Sequence, residues 1–124
     1  MARELVGDWS ASTLREPVGP GARSVQVGLS SDVAAQVDLL ARDRGQTASA
    51  VLRQLIRWGM HGTGPLHPVP MPRPALQRAT VLSGTTLRQL STWQEHHGTR
   101  RAAILRSLIV ESLGRLQAGE EMVS

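Results

Sequence analysis

The sequence contains no cysteine, no lysine, no phenylalanine and no tyrosine. Without cysteine, disulfides and thiolate metal sites are excluded. Without lysine, a GxxxxGK[ST] phosphate loop cannot be built. Aromatic rings are confined to Trp9, Trp58 and Trp93, so any core must be made of aliphatic side chains. Long apolar runs are missing as well. Stretches such as Ser107 to Val110 fall far short of the ~18 residues needed to span a bilayer, and the amino terminus shows no signal-peptide pattern. The expectation is a cytoplasmic protein without a membrane partner.

Catalytic and metal-binding signatures are equally sparse. Ser, His and Asp all occur, but no local motif arranges them as a triad, and no enzyme activity is expected. His96 and His97 are adjacent and point about 100° apart on a helix, while His61 and His67 flank a glycine-proline segment. With no Cys and no nearby carboxylate cluster, neither a metal site nor a cofactor is expected.

What the chain does have is arginine. All 14 basic residues are Arg. Between Pro17 and Val110 there are 11 of them against Asp32, Asp38, Asp43 and Glu95, a net +7 for that span. A basic body of this kind suits a polyanionic partner such as nucleic acid.

The chain also repeats itself. Ala50-Val51-Leu52-Arg53-Gln54-Leu55-Ile56 recurs as Ala103-Ile104-Leu105-Arg106-Ser107-Leu108-Ile109, an offset of 53 residues with five of seven positions identical. The same shift superposes Leu29 on Leu82, Ser30 on Ser83, Gln36 on Gln89 and Gly45 on Gly98. Each copy reads strand, helix, helix. In the first, Val25-Gln26-Val27-Gly28-Leu29 alternates with the period of a half-buried strand. Ser30, Ser31 and Asp32 supply helix-start chemistry, and Val33, Val37, Leu40 and Ala41 recur at helical spacing up to Gly45. Thr47 caps a second helix carrying Val51, Leu52, Leu55 and Ile56. In the second copy a strand is expected near Arg78 to Leu82 and a helix from about Thr85 to His97. Gly98 breaks that helix, and a last one is expected to be capped by Thr99. Trp93 takes the place of Leu40 and is read as core, and Trp58 as a seal between the halves. Arg53 and Arg106 are read as solvated or salt-bridged residues.

These segments divide the chain into an N-terminal arm (1–22, poorly structured), a first unit (23–60), a Pro/Gly-rich linker (61–75), a second unit (76–117) and a short tail (118–124). Leu14 to Gly21 reads as loop, and Trp9 either docks the arm or stays exposed.

One short strand cannot satisfy its own backbone hydrogen bonds, so each unit must pair its strand with another. Two such strands form an antiparallel ribbon whose inner face rests on four helices. In this order of elements each copy resembles the ribbon-helix-helix superfamily of Arc-, methionine-repressor- and CopG-like DNA-binding proteins. That resemblance implies a mainly α fold with a short two-stranded antiparallel ribbon, here a tandem pseudodimer with both halves in one chain. A linker of about 15 residues at ~3.3 Å each can span roughly 50 Å, enough to allow it. Exchange of strands between two chains is the alternative that sequence leaves open.

The resemblance further implies sequence-specific binding of double-stranded DNA, as a transcriptional repressor or regulator or a plasmid or phage DNA-processing accessory, with a nucleoid-associated location. Further copies of the chain on repeated sites are conceivable partners. The ribbon residues facing away from the core read bases: in copy one these are Ser24, Gln26 and Gly28. Copy two is open between two registers. The strict repeat turns Gln77, Ala79 and Val81 outward and Arg78 inward. A one-residue slip turns Arg78 and Thr80 outward, and it is favoured by the cost of burying a charge. The amino ends of the second helices, Thr47-Ala48-Ser49 and Thr99-Arg100-Arg101, are implied to meet phosphates. Two rival functions share the fold. One is the antitoxin of a toxin-antitoxin pair, with a toxin partner, which the few residues after Leu116 disfavour although residues 1–22 could serve that role. The other is a protein-interaction module that has lost DNA binding.

Overall fold

The computed structural model describes residues 3–7 and 21–122. Trp9 lies outside the described residues, as does the loop expected from Leu14 to Gly21 except for Gly21 itself. The elements run β1 (Arg23–Leu29), α1 (Ser31–Arg44), α2 (Ala48–Met60), β2 (Leu76–Leu82), α3 (Gly84–His97) and α4 (Arg101–Gln117). A shift of 53 residues carries β1 onto β2 and α1 onto α3 end to end, and it carries the start of α2 onto the start of α4.

Local chemistry accounts for the helix ends. The Ser30 hydroxyl accepts from the Val33 amide at 3.1 Å and Ser83 from the Thr86 amide at 3.2 Å, each taking up an orphan donor of the first turn. Gly45 and Gly98 terminate α1 and α3 in the left-handed region, at φ 64° and 61°, where glycine carries no Cβ penalty.

The two strands pair antiparallel within the chain, from Arg23 opposite Leu82 to Leu29 opposite Leu76. The central pair is Gln26 and Ala79, residues that are also equivalent under the shift of 53, so the ribbon is centred on its own pseudo-twofold. Val25, Val27 and Leu29 of β1 and Thr80 and Leu82 of β2 are buried. α2 packs on β2 and α4 on β1, so each second helix supports the strand of the other half. The core between them is aliphatic, led by Leu52, Leu55, Ile56, Leu105, Leu108 and Ile109, with Trp93, the repeat equivalent of Leu40, buried as expected. At about 25 cal/mol per Å² of apolar surface, such burial is the main force closing the two halves together.

The amino-terminal arm, expected to be poorly structured, is docked over residues 3–7. Leu5 bridges Leu66 in parallel, with Val6 N donating to Leu66 O and Leu66 N to Glu4 O, both at 3.0 Å. The Arg3 guanidinium is buried, forks onto the Glu111 carboxylate, and donates to the carbonyls of Gly59, Thr63, Gly64 and Pro65. The arm thereby ties the linker to α4. Among the described residues no helix is long and apolar enough to cross a membrane.

Candidate nucleic-acid interface

The face of the ribbon turned away from the helices carries Ser24 and Gln26 from β1 and Gln77, Ala79 and Val81 from β2, all exposed. This is the strict-repeat register. The slipped register is overturned: Thr80 is 2% exposed, and Arg78 lies on the side of Val27, its cross-strand partner. The burial argument failed because each group finds a polar partner on the inner side. Thr80 Oγ1 donates to the Ser49 carbonyl at 2.6 Å and accepts from Ser49 Oγ at 3.2 Å, so its hydroxyl is satisfied at the start of α2. A two-stranded ribbon is narrow enough for the long Arg78 side chain to reach its edge, where the guanidinium meets Asp38 at 3.5 Å and keeps about a third of its surface in water (32%).

Gly28 is corrected as well. It lies on the outer side of β1 but is buried, and a Cβ there would meet Ala75 Cβ at 3.2 Å, Gln77 Nε2 at 3.2 Å and Met71 Sδ at 3.4 Å. The strand offers no open backbone at that point.

α2 begins beside the ribbon, and α4 packs on β1. Thr47 caps α2 by accepting from the Ala50 amide at 3.1 Å, and Ser49 touches Thr80 on β2. At α4 the cap is Arg100, which makes no side-chain capping bond, and Arg101 opens the helix. Thr99 is therefore not the cap: it is 2% exposed, its hydroxyl buried without a hydrogen-bond partner. The 53-residue shift, which sets Thr47 on Arg100 rather than on Thr99, carried that information in the sequence. Helix amino ends expose free amides at the positive end of the dipole, and at α4 the cap and the first helical residue are both arginine.

Arg106 departs from the solvated reading. It is 5% exposed and its Nε donates to the Val69 carbonyl at 3.0 Å, while the Val69 amide donates to Ser107 Oγ at 3.1 Å. Burial lowers the Arg106 pKa from its ordinary value. The prolines of the linker thus flank a segment clamped to α4. Away from the ribbon, Trp58 is nearly buried, with the Arg115 guanidinium 3.8 Å from its ring centroid, a cation–π contact across α2 and α4. His96 and His97 stack edge to face, and the His97 pKa is lowered, first by desolvation and then by His96. Among the described residues no group of three or more His, Cys, Asp or Glu is placed to hold a metal ion. A cleft of about 240 Å³ beside Arg44, Arg57, Trp58 and His61 involves none of the outward ribbon residues.

A strand followed by two capped helices, its outer face open and its second helix starting at the ribbon's flank, is a geometry that can be compared with known families. Residues 23–57 match the family model of the ribbon-helix-helix protein, copG family. The match covers β1, α1 and nearly all of α2, and it bears out the resemblance read from the first unit. No curated protein and no solved structure matched the chain in the comparisons. A ribbon-helix-helix unit suggests a DNA-binding regulator. Gln77, Ala79 and Val81 are the outward residues that the favoured sequence register missed, and the repeat offset alone places them. Met71, which covers Gly28, has no signal in the sequence.

Proposed function

We propose that the chain is a sequence-specific double-stranded DNA-binding protein, a tandem ribbon-helix-helix pseudodimer that acts as a transcriptional repressor or regulator or as a DNA-processing accessory. The observation that carries this reading is the pseudo-twofold ribbon itself. Its centre pairs Gln26 with the repeat-equivalent Ala79, its outer side chains are exposed, and its flank at Thr80 holds the start of α2. A major groove about 12 Å wide admits a two-stranded ribbon. Once it is seated, Gln26 and Gln77 present amides suited to bidentate contact with adenine, and Ser24 presents a hydroxyl. Thr47, Ala48 and Ser49 at one flank and Thr99, Arg100 and Arg101 at the other lie at the helix ends that would meet the phosphates, with the exposed Arg100 rather than the buried Thr99 leading at α4. Because Gln26 faces Ala79, and Ser24 is matched under the shift by Gln77, the two halves read different bases, and the preferred site is non-palindromic.

Selection from a random duplex library followed by titration tests this reading. The expected result is one enriched asymmetric motif, bound with an affinity whose logarithm falls against log salt by about 0.9 per phosphate neutralised. A complete absence of salt-sensitive duplex binding would replace DNA recognition with the protein-interaction reading of the same fold.

A further inference from the structure

The outer ribbon face has no side chain of its own at Gly28, yet it is not bare there. Met71 of the linker stands over that position, its sulfur 3.4 Å from where a Cβ would lie, while the residue remains 52% exposed. Its placement is held from α4. Arg106 Nη1 lies 3.5 Å from Met71 Sδ, and two residues earlier both backbone polar groups of Val69 are taken by Arg106 and Ser107, which are 5% and 1% exposed.

The pseudo-twofold gives this placement a meaning. The shift of 53 maps Gly28 onto Val81, an exposed apolar residue of the same outer face, and maps Ser24 onto Gln77. Across the ribbon Ser24 faces Val81, and Gly28 faces Gln77. One end of the face therefore carries a polar residue beside a valine. The other carries a polar residue beside a glycine that is covered by Met71. The linker restores, from outside the strand, the apolar group that the strand lacks.

We propose that Met71 is a base-contacting residue that recognises a thymine C5-methyl group at one half of the DNA site, as Val81 does at the other. This rests on the DNA-binding reading above. The thymine methyl is the apolar feature of base edges in the major groove, and an unbranched, polarizable thioether adapts well to it. Val81 is β-branched and fixed on the ribbon, whereas Met71 reaches the groove from a clamped linker, so the two thymines sit at positions that are not mirror images. The linker is then part of the reading head as well as the covalent join between the halves.

The experiment uses the full chain and its selected duplex, with each thymine replaced singly by deoxyuridine, which removes the methyl group and nothing else. The wild type should lose about threefold to fourfold in affinity at one thymine in each half, the order expected for one methyl-sized contact. Met71→Ala should bind thymine and uracil equally at its own position while keeping the preference at the other. Val81→Ala should do the reverse, and Met71→Leu should keep both preferences. Thermal melts of the Met71 variants should match the wild type, since the side chain is half exposed. The inference is overturned if Met71→Ala keeps the full thymine preference at both positions, or if the wild type selects a motif but shows no thymine preference anywhere. A wild type that selects no motif fails the DNA-binding reading itself, at the selection step and before any uracil duplex is made.

Discussion

Gly59 of α2 lies directly against Ser112 of α4: a Cβ on Gly59 would stand 3.0 Å from Ser112 Oγ and 3.1 Å from Leu108 Cδ2. The two residues are equivalent under the 53-residue shift, so the second helices cross on the pseudo-twofold, where only a hydrogen atom and a small hydroxyl fit. The Ser112 hydroxyl donates to the Leu55 carbonyl at 2.9 Å and is fully buried. Gly59→Ala is predicted to force these helices apart and to cost about 1–3 kcal/mol, the range for overpacking a filled core. Urea denaturation measures it, and a variant as stable as the wild type would show that the crossing relaxes freely.

Arg78 pairs with Asp38 at the ribbon's edge, with side chains 32% and 53% exposed, so solvent screens most of their attraction. Arg78→Ala should cost no more than about 0.5 kcal/mol of stability and leave discrimination between the selected and a scrambled duplex unchanged. Gln26→Ala should leave the fold intact and lose about 1–3 kcal/mol of that discrimination. Parallel titrations of the two variants decide the matter. A loss confined to Arg78→Ala would mean that the inner-facing side chain, not the outer face, reads bases.

The Arg3 guanidinium is almost wholly buried, and Glu111 is its carboxylate partner. Removing that carboxylate leaves a buried cation held by carbonyl oxygens alone. Glu111→Ala is accordingly expected to destabilise by about 3 kcal/mol, in the range for breaking a buried pair. Arg3→Ala removes the charge together with its cost and should be the milder change. Comparing the two melting temperatures checks the order, and equal effects would show that the arm contributes packing rather than charge pairing.

At the start of α4, Arg100→Ala combined with Arg101→Ala is predicted to weaken binding to all duplexes alike and to lower the slope of log K against log salt by about 0.9 per lost phosphate contact. At the start of α2, Ser49→Ala removes no charge and should leave the slope as it is. Fluorescence anisotropy over a salt series gives both slopes. An unchanged slope in the double variant would take the α4 start out of the interface.

Much of this architecture was legible because local chemistry and tertiary structure agree. Glycines at equivalent positions stop α1 and α3, serines cap both, and apolar residues at helical spacing mark the buried stripes of α2 and α4. The site was harder to read. Placing Thr80 and Arg78 outward followed from treating an inward strand position as an apolar one, whereas the Ser49 carbonyl and Asp38 make that inner edge polar. Taking Thr99 as a cap followed residue type over the repeat, which aligns Thr47 with Arg100. The Met71 and Arg3 contacts join residues far apart in the chain, and a run of prolines or an N-terminal arginine gives no periodic signal of where it will dock.

Pairing β1 with β2 inside one chain also sets how occupancy responds to abundance. A ribbon shared by two chains exists only above their dissociation constant, and at low dose its sites fill with the square of subunit concentration. Here the partner strand is always present at an effective concentration set by the linker, which the Arg3 arm and the Val69 clamp hold against the body. Under the DNA-binding function proposed above, site occupancy should rise with the first power of protein concentration, so that the response is graded at copy numbers too low to sustain a dimer.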